Sequence, residues 1–283
     1  MSAYQGGFRF PSEAVPHTQF SAKHALIMAT VNGAVKSGLT SLRILEVGSW
    51  LGASTLLWAE SILRFGGEAM ARRSSILAVD SWSPVLSQDD LSIEQYRIFV
   101  DASKNDAAYN TFVHNATLGT KSFGVPIQWE RGQSRDVIPR LGDQTFDIIY
   151  IDAGHYYDEV ATDIALTKGL LRIGGTMCGD DLNLSQDQVD QDTLMASTAR
   201  DFIVDPKTGS HYHPGVTLAV GEAFPTVAAV SGGFWSVCKT SDDVFVPNKP
   251  RFDGIFLPSF LSNEDAKLFI QALEQVVRIN QRT

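Results

Sequence analysis

The sequence predicts an α/β protein with a doubly wound, seven-stranded and mostly parallel sheet that has one antiparallel strand near its C-terminal edge. Two observations lead to this prediction. Short apolar runs alternate with longer stretches of helical periodicity, and several of the runs end in an acidic residue. A glycine-containing turn also follows the first of these runs. Because neighbouring parallel strands deliver their carboxyl ends to one crevice, these acids are expected to converge there.

Composition bounds the class of protein. The chain has 283 residues, of which 44% are hydrophobic and 19% are charged, as in ordinary globular proteins. Its net charge of −9, without a long basic run, argues against a nucleic-acid backbone as the main partner. No signal-peptide pattern and no run of bilayer length occurs, so we expect a cytoplasmic protein without a membrane partner.

The chain divides into three expected parts. Residues 1–20 form an arm with Phe8, Phe10 and Phe20, which we expect to pack on the body. Residues 21–240 form the main domain, beginning with a helix that Ser21 caps and that runs through about Lys36. Residues 241–283 are expected to be a linker followed by an appended amphipathic helix over Asn263–Ile279.

The first predicted strand ends at Glu46, a candidate hydrogen-bond acceptor, and a turn with Gly48 and Gly52 follows it. Ser54 leads into the next helix, so backbone amides at that helix start are expected to face a ligand. The two glycines are four residues apart and residue 50 is Trp50, which departs from the dinucleotide pattern and disfavours a pyrophosphate.

The second predicted strand, 75–80, ends at Asp80, where nucleoside-binding α/β proteins hold the ribose hydroxyls. The competing interpretation of Asp80 is a turn residue. The third strand, 126–130, is followed by Gly132, Gln133 and Ser134, which are candidates for contacting a purine and of which Ser134 is expected to cap a short helix. Residues 81–120 interrupt the alternation and are expected to cover the site.

The fourth strand ends at Asp152, with His155 three residues later, and the fifth, predicted over 176–178 after the helix-ending pair at 174–175, precedes Asp180 and Asp181. Three converging carboxylates repel one another unless a hard cation such as Mg²⁺ compensates them. His155 is the candidate general base, because imidazole titrates near neutrality. The alternatives are a helix cap for Asp180 or His155 and a solvated side chain for Asp181.

The rest of the predicted domain closes the sheet. A helix is expected around Thr193–Ile203, and His213 is read as a surface turn rather than a substrate contact. Two strands over 226–230 and 232–239, joined by a tight turn, are expected to add an antiparallel pair.

With these residues in view, the chain resembles class I S-adenosylmethionine-dependent methyltransferases, which have a Rossmann-like fold, over roughly residues 20–240. The turn Glu46–Ser54 resembles that of metal-dependent O-methyltransferases. Asp152-Ala-Gly-His155 with Asp180-Asp181 resembles the macrocin and mycinamicin sugar O-methyltransferases. The resemblance implies S-adenosyl-L-methionine and Mg²⁺ as cofactors, with Mg²⁺ on Asp152, Asp180 and Asp181 and with Asp152 and His155 as the catalytic residues. The cofactor-binding residues that it implies are Glu46, Gly48, Ser49, Trp50, Gly52, Ser54, Asp80, Ser81, Gly132, Gln133, Ser134 and Asp152.

Three other interpretations stay open on the sequence. The first is a metal-independent N- or O-methyltransferase, and the second is a non-catalytic S-adenosylmethionine-binding module. The third, a nicotinamide oxidoreductase, is weakened by the glycine spacing. The expected acceptor is a hydroxyl of a small molecule or sugar, and a homo-oligomer is possible through the arm or the last helix.

Overall fold

The protein is described by a computed structural model over residues 4–10, 22–83, 86–88, 90–92, 94–227, 229, 232–250 and 253–280. Its strands lie at β1 (Arg43–Val47), β2 (Ser75–Asp80), β3 (Ile127–Arg131), β4 (Phe146–Ile151), β5 (Leu171–Gly179), β6 (Ile203–Val204), β7 (His211–Tyr212), β8 (Trp235–Ser241) and β9 (Val244–Pro247). Its α-helices lie at α1 (Ala22–Lys36), α2 (Ala53–Arg73), α3 (Glu94–Ser103), α4 (Ala107–Phe123), α5 (Ser134–Val137), α6 (Tyr157–Lys168), α7 (Gln191–Ala196), α8 (Pro214–Ala223) and α9 (Asn263–Asn280).

Seven strands form the main sheet in the order β3-β2-β1-β4-β5-β8-β9, and β6 pairs with β7 separately. Strands β1 to β5 are parallel, whereas β8 runs antiparallel to both β5 and β9. Val47 is paired with Val79 on one side and with Ile151 on the other, so β1, β2 and β4 end at the same level. The predicted fold class is confirmed.

Helices cover both faces of the sheet, because strand side chains point alternately to either face. Ile44 and Ile148 are buried in a core with α1, α2 and α4. Leu45 and Ile149 are buried in a second core with α6 and α8. This two-sided burial explains why β1 and β4 read as nearly continuous apolar runs. Within the described residues no helix is long and apolar enough to cross a bilayer.

Several predicted boundaries were wrong where apolar runs suit either element type. Strand β5 already begins at Leu171, so the glycines at 174–175 lie inside a strand rather than at the end of α6. Helix α7 ends at Ala196, and Ile203 belongs to β6. Ser134 is the first residue of α5 rather than its cap.

The seventh strand comes from the segment expected to be linker. The residues at 226, 227 and 229, within the predicted strand 226–230, are not in a strand, and the other positions of that stretch lie outside the described residues. Strand β9 instead follows β8 through a tight turn in which Asp243 has a φ of 61°. Such a turn places β9 directly on the free edge of β8.

Residues near both ends of the described chain pack together. Phe8 and Phe10 are buried beside Phe260, whose backbone carbonyl accepts a hydrogen bond from the Gln5 amide at 3.2 Å. The Phe260 ring also meets Phe123 at the end of α4. The rest of the predicted arm, including Phe20, lies outside the described residues. Helix α9 packs against α1.

We expect Phe260→Ala to lower the free energy of unfolding by about 3–5 kcal/mol, because it leaves a cavity among buried rings. Leu257→Ala, at a side chain that is 45% exposed, is the control and is expected to have little effect. Denaturant unfolding measures both. Equal losses in the two variants would contradict the packing described for this segment.

Candidate functional site

A cavity of about 300 Å³ opens at the carboxyl edge of the sheet. Its size lies at the lower end of small-molecule sites. Besides Ser81, the region 81–120 contributes Ser83, Leu86 and Tyr96 to its lining. The predicted site residues that line it are Gly48, Trp50, Asp80, Ser81, Gly132, Gln133, Ser134, Asp152 and His155. Glu46, Ser49, Gly52, Ser54, Asp180 and Asp181 are not among its lining residues.

The first turn is pressed against the end of β4 at Gly48. This residue has a φ of +87°, and a Cβ on it would lie 2.1 Å from the backbone oxygen of Asp152. Only glycine avoids both the conformational cost and the clash. The sequence predicted that the glycines of this turn let the backbone pass close to a ligand; in the structure, Gly48 lies against the strand end that carries Asp152.

Asp80 ties the turns after β1 and β2 together. Its Oδ2 accepts hydrogen bonds from the amides of Ser49 and Trp50, both at 2.8 Å, and its Oδ1 accepts one from the Trp82 amide at 2.6 Å. Trp50 and Trp82 have φ values of 44° and 49°, which are rare for bulky residues. The carboxylate therefore holds two strained turns.

Glu46 lies behind the turn rather than in the cavity. It is fully buried, and the Thr55 hydroxyl at the start of α2 donates to its Oε2. Its Oε1 has no hydrogen-bond partner among the described residues. Burial raises the pKa of Glu46 from its ordinary 4.5 to about 7, against the lowering effect of hydrogen bonds from Ser54 and Thr55. Ser54, although predicted to contact the cofactor, is buried in the first turn of α2.

The opposite side of the cavity is formed by the turn after β3. The Gly132 amide donates to the backbone oxygen of Asp80 at 2.9 Å, which joins this turn to the end of β2. Asp163 of α6, which sequence reasoning missed, also lines the cavity. It is 1% exposed, its Oδ1 has no partner among the described residues, and burial raises its pKa to about 7. The sequence did contain a signal for Asp163, because an acidic residue stands between Val160 and Ile164 on the face of α6 that was predicted to be buried.

The three predicted metal ligands do converge. Asp152, Asp180 and Asp181 each offer an oxygen, and these atoms lie within 4.8 Å of one another. Tyr150 donates its hydroxyl to Asp152 Oδ2 at 2.9 Å. Asp181 has a φ of 65°, a conformation that aspartate tolerates better than most residues do.

Lys23 of α1, which sequence reasoning also missed, supplies a cation to this group. Its ammonium pairs with Asp180 and lies 3.9 Å from Asp152 Oδ2. Burial alone would lower the pKa of Lys23, but the charges of Asp152 and Asp180 raise it above its ordinary value. The side chain belongs to a helix more than a hundred residues away in sequence, and no local pattern marks it.

His155 lies between two carboxylates. Its Nε2 is 3.1 Å from Asp181 Oδ2, and its Nδ1 is 2.5 Å from Asp201 Oδ1. Burial alone would lower its pKa, but the interactions with Asp181 and Asp201 raise it well above the ordinary value. Tyr96 donates its hydroxyl to the other oxygen of Asp201. Asp201, buried in a polar stretch without periodicity, gave no signal in the sequence.

His213 is not the surface residue that the sequence suggested. It is 9% exposed, its ring centroid lies 4.2 Å from that of His155, and its Nδ1 donates to the backbone oxygen of Asp201 at 2.7 Å. Its Nε2 is 3.9 Å from Asp181 Oδ1. Two imidazoles therefore face the same carboxylate.

The donor set of Asp152, Asp180 and Asp181 fits Mg²⁺. All three groups present oxygen, which hard cations prefer, and few protein carboxylates are needed because Mg²⁺ keeps several waters. Asp180 Oδ1 is buried without a hydrogen-bond partner among the described residues. A cation bound between the three carboxylates would give this oxygen a partner.

The sheet order and the position of the cavity are those of a nucleoside-binding, doubly wound α/β protein. Residues 45–182 match a family model described as a methyltransferase domain. Over these residues the chain is similar to a methyltransferase domain, and the order of the strands in the sheet agrees with that similarity. No curated protein matches the chain in sequence.

The chain aligns with solved structures at low sequence identity. The O-methyltransferase NovP aligns with a TM-score of 0.51 and 14% identity, over 77% of this chain and 80% of NovP. Cofactor-bound Rv0187 from MTB aligns at 0.39 and 18%, over 64% of this chain. The O-methyltransferase TomG from Streptomyces achromogenes, involved in tomaymycin synthesis and solved with SAM, aligns at 0.40 and 16%, over 71% of this chain. The chain covers 65% of the length of each of the last two proteins.

The buried Glu46 predicts a pH dependence of stability. Because its folded-state pKa of about 7 exceeds the ordinary 4.5, the folded state binds the proton more tightly than the unfolded state. Its contribution to stability is therefore complete below pH 4.5 and is lost as the pH rises to about 7. We expect Glu46→Gln to gain up to about 3 kcal/mol relative to the wild type between these limits.

Denaturant unfolding of both proteins between pH 4.5 and pH 8 measures this difference. Glu68→Gln, at a side chain that is 80% exposed, is the matched control. Parallel pH curves for the wild type and Glu46→Gln would contradict the buried, protonated carboxyl.

Proposed function

We propose that the protein is an S-adenosylmethionine-dependent O-methyltransferase that uses Mg²⁺ and methylates a hydroxyl of a small molecule or sugar. The observation that carries this proposal is the contact at Gly48 between the turn after β1 and the end of β4. The turn that a nucleoside would occupy is pressed directly against the strand end that bears Asp152. Cofactor and acceptor would therefore meet at the boundary between the turn and the carboxylates.

The cavity supports the placement of the nucleoside. Asp80, which lines the cavity, would accept a hydrogen bond from a ribose hydroxyl. Gln133 and Ser134, on the opposite wall, would contact the purine. Gly48 and Trp50 line the cavity between these ends and would lie beside the methionine part. Ser49, Gly52, Ser54 and Glu46 would act by shaping the turn.

The carboxylates support the placement of the acceptor. When bound, S-adenosylmethionine would supply the methyl group, and a Mg²⁺ ion would lower the pKa of an acceptor hydroxyl. Asp152, Asp180 and Asp181 would hold that ion. The fold would contribute by orienting the acceptor, because the attacking oxygen must lie in line with the bond between the methyl group and the sulfur of the cofactor.

His155 would accept the acceptor proton. Asp201 binds Nδ1 and so fixes the ring orientation, which leaves Nε2 as the reacting nitrogen. Nε2 now contacts Asp181, and it would be released when Asp181 turns its oxygens toward a cation. The choice of a sugar or other small-molecule hydroxyl is supported by the resemblance of the motifs around Asp152 and Asp180.

One observation favours a second candidate, a metal-independent methyltransferase. The Lys23 ammonium already offsets the charge of Asp180 and lies near Asp152. A lysine in this position could orient an acceptor hydroxyl without a metal ion. The two candidates differ in whether activity survives chelation.

Calorimetric titration of S-adenosylmethionine and its demethylated product, with and without Mg²⁺, is the first test. We expect both nucleosides to bind the wild type, and we expect Mg²⁺ binding to be lost in Asp180→Asn. Transfer of an isotope-labelled methyl group to a panel of sugars and vicinal diols then tests turnover. Failure of both nucleosides to bind would overturn the methyltransferase proposal, and full activity in chelator would establish the second candidate.

Lys23→Met distinguishes the two candidates by binding alone. Removing the ammonium leaves the carboxylates uncompensated, so we expect a lower melting temperature without metal and about tenfold tighter Mg²⁺ binding. Lys36→Met is the matched control, because Lys36 pairs with Asp253 on the exposed side of α1. Unchanged Mg²⁺ affinity in Lys23→Met would argue that no ion binds beside Lys23.

A further inference from the structure

Two imidazoles, those of His155 and His213, lie side by side at the edge of the carboxylate group, with ring centroids 4.2 Å apart. His155 and His213 both bind Asp201 through Nδ1, one through its carboxylate and the other through its backbone carbonyl. Because Nδ1 of each ring is held by Asp201, Nε2 is the nitrogen of each ring that can bind a cation, which in His155 displaces the proton shared with Asp181. These Nε2 atoms lie 3.1 Å and 3.9 Å from different oxygens of Asp181.

This arrangement matches the usual construction of a protein metal centre. Histidine ligands are held by a carboxylate or carbonyl on the nitrogen that does not bind the metal, which fixes the tautomer and the ring orientation. Asp201 supplies both kinds of partner and is itself 3% exposed. One ligand atom from each of His155, His213 and Asp181 lies within 4.8 Å of the other two.

The backbone is also shaped for this approach. Helix α8 begins directly after His213, and a Cβ on Gly215 would lie 2.2 Å from the His155 carbonyl oxygen. The start of α8 thus reaches the chain next to His155 only because residue 215 is glycine. Asp181, at a φ of 65°, lies two residues after the end of β5 and faces both rings.

We infer that His155, His213 and Asp181 form a binding site for a borderline divalent cation of the Zn²⁺ or Co²⁺ type. Two imidazoles and one carboxylate are a ligand set that such ions prefer to the all-oxygen sets that suit Mg²⁺. The cation takes the place of the proton shared between His155 Nε2 and Asp181. Asp152 and Asp180 belong only to the neighbouring oxygen set, and Asp181 is common to both.

The site has a consequence for catalysis that rests on the proposed function, whereas the binding itself does not. A cation on Nε2 of His155 removes the lone pair that would accept the acceptor proton. Zn²⁺ is therefore expected to inhibit methyl transfer under conditions in which Mg²⁺ supports it. His155 would be a base or a ligand according to which ion is bound.

The test is titration of the metal-free, full-length protein with Co²⁺, followed by the visible ligand-field absorption that imidazole ligands intensify. We expect one Co²⁺ to bind the wild type and Zn²⁺ to displace it. His213→Gln and Asp201→Asn should each weaken Co²⁺ binding about tenfold or more. His211→Gln is the matched control, because His211 is exposed and lies on the neighbouring strand β7.

Asp180→Asn separates this site from the oxygen set. We expect it to keep the Co²⁺ absorption of the wild type while losing Mg²⁺ binding. Undiminished Co²⁺ binding in His213→Gln, or the same loss in Asp180→Asn as in His213→Gln, would overturn the inference. Thermal unfolding and nucleoside titration on the same samples show that the variants are folded. Absence of nucleoside binding by the wild type with intact Co²⁺ binding would overturn only the methyltransferase proposal.

Discussion

Electrostatic compensation at one edge of the sheet governs much of this structure. Parallel strands bring Asp152, Asp180 and Asp181 together, and Asp201 joins them from a later segment. Buried carboxylates of this density are tolerated only when opposite charges or hydrogen bonds accompany them. The protein provides Lys23 from one side and two histidines from the other. The positions of α1 and α8 are thereby linked to the chemistry of the strand ends, in addition to their apolar packing.

The sheet and most of the residues that line the cavity could be predicted from the sequence, because both depend on local patterns. Strands β1, β2 and β4 are apolar runs buried on both faces, and each is followed by an acid or a glycine turn. Parallel geometry then implies that their carboxyl ends meet. Asp80 and Asp152 were found in this way, although the hydrogen bonds of Asp80 to the turn amides could not be read from the sequence.

The residues that were missed depend on tertiary packing. Lys23 and Asp201 lie in segments whose local sequence does not reveal what they contact, and His213 reaches the site only through the close approach at Gly215. The seventh strand was misplaced for a related reason. The stretch 226–230 contains Thr and Val residues that favour a strand, but β9 follows β8 through a short turn and pairs with its open edge.

The contacts around His155 also bear on the order of folding. They join the end of β4, the end of β5, the loop at Asp201 and the start of α8. Each of these polar contacts closes a loop of the chain. The contact stabilises the folded state only when its free energy exceeds the entropic cost of closing that loop. We therefore expect the imidazole pair to form late, after the parallel strands have paired. The chemistry of the site would then be the last property the chain acquires and the first it loses on local unfolding.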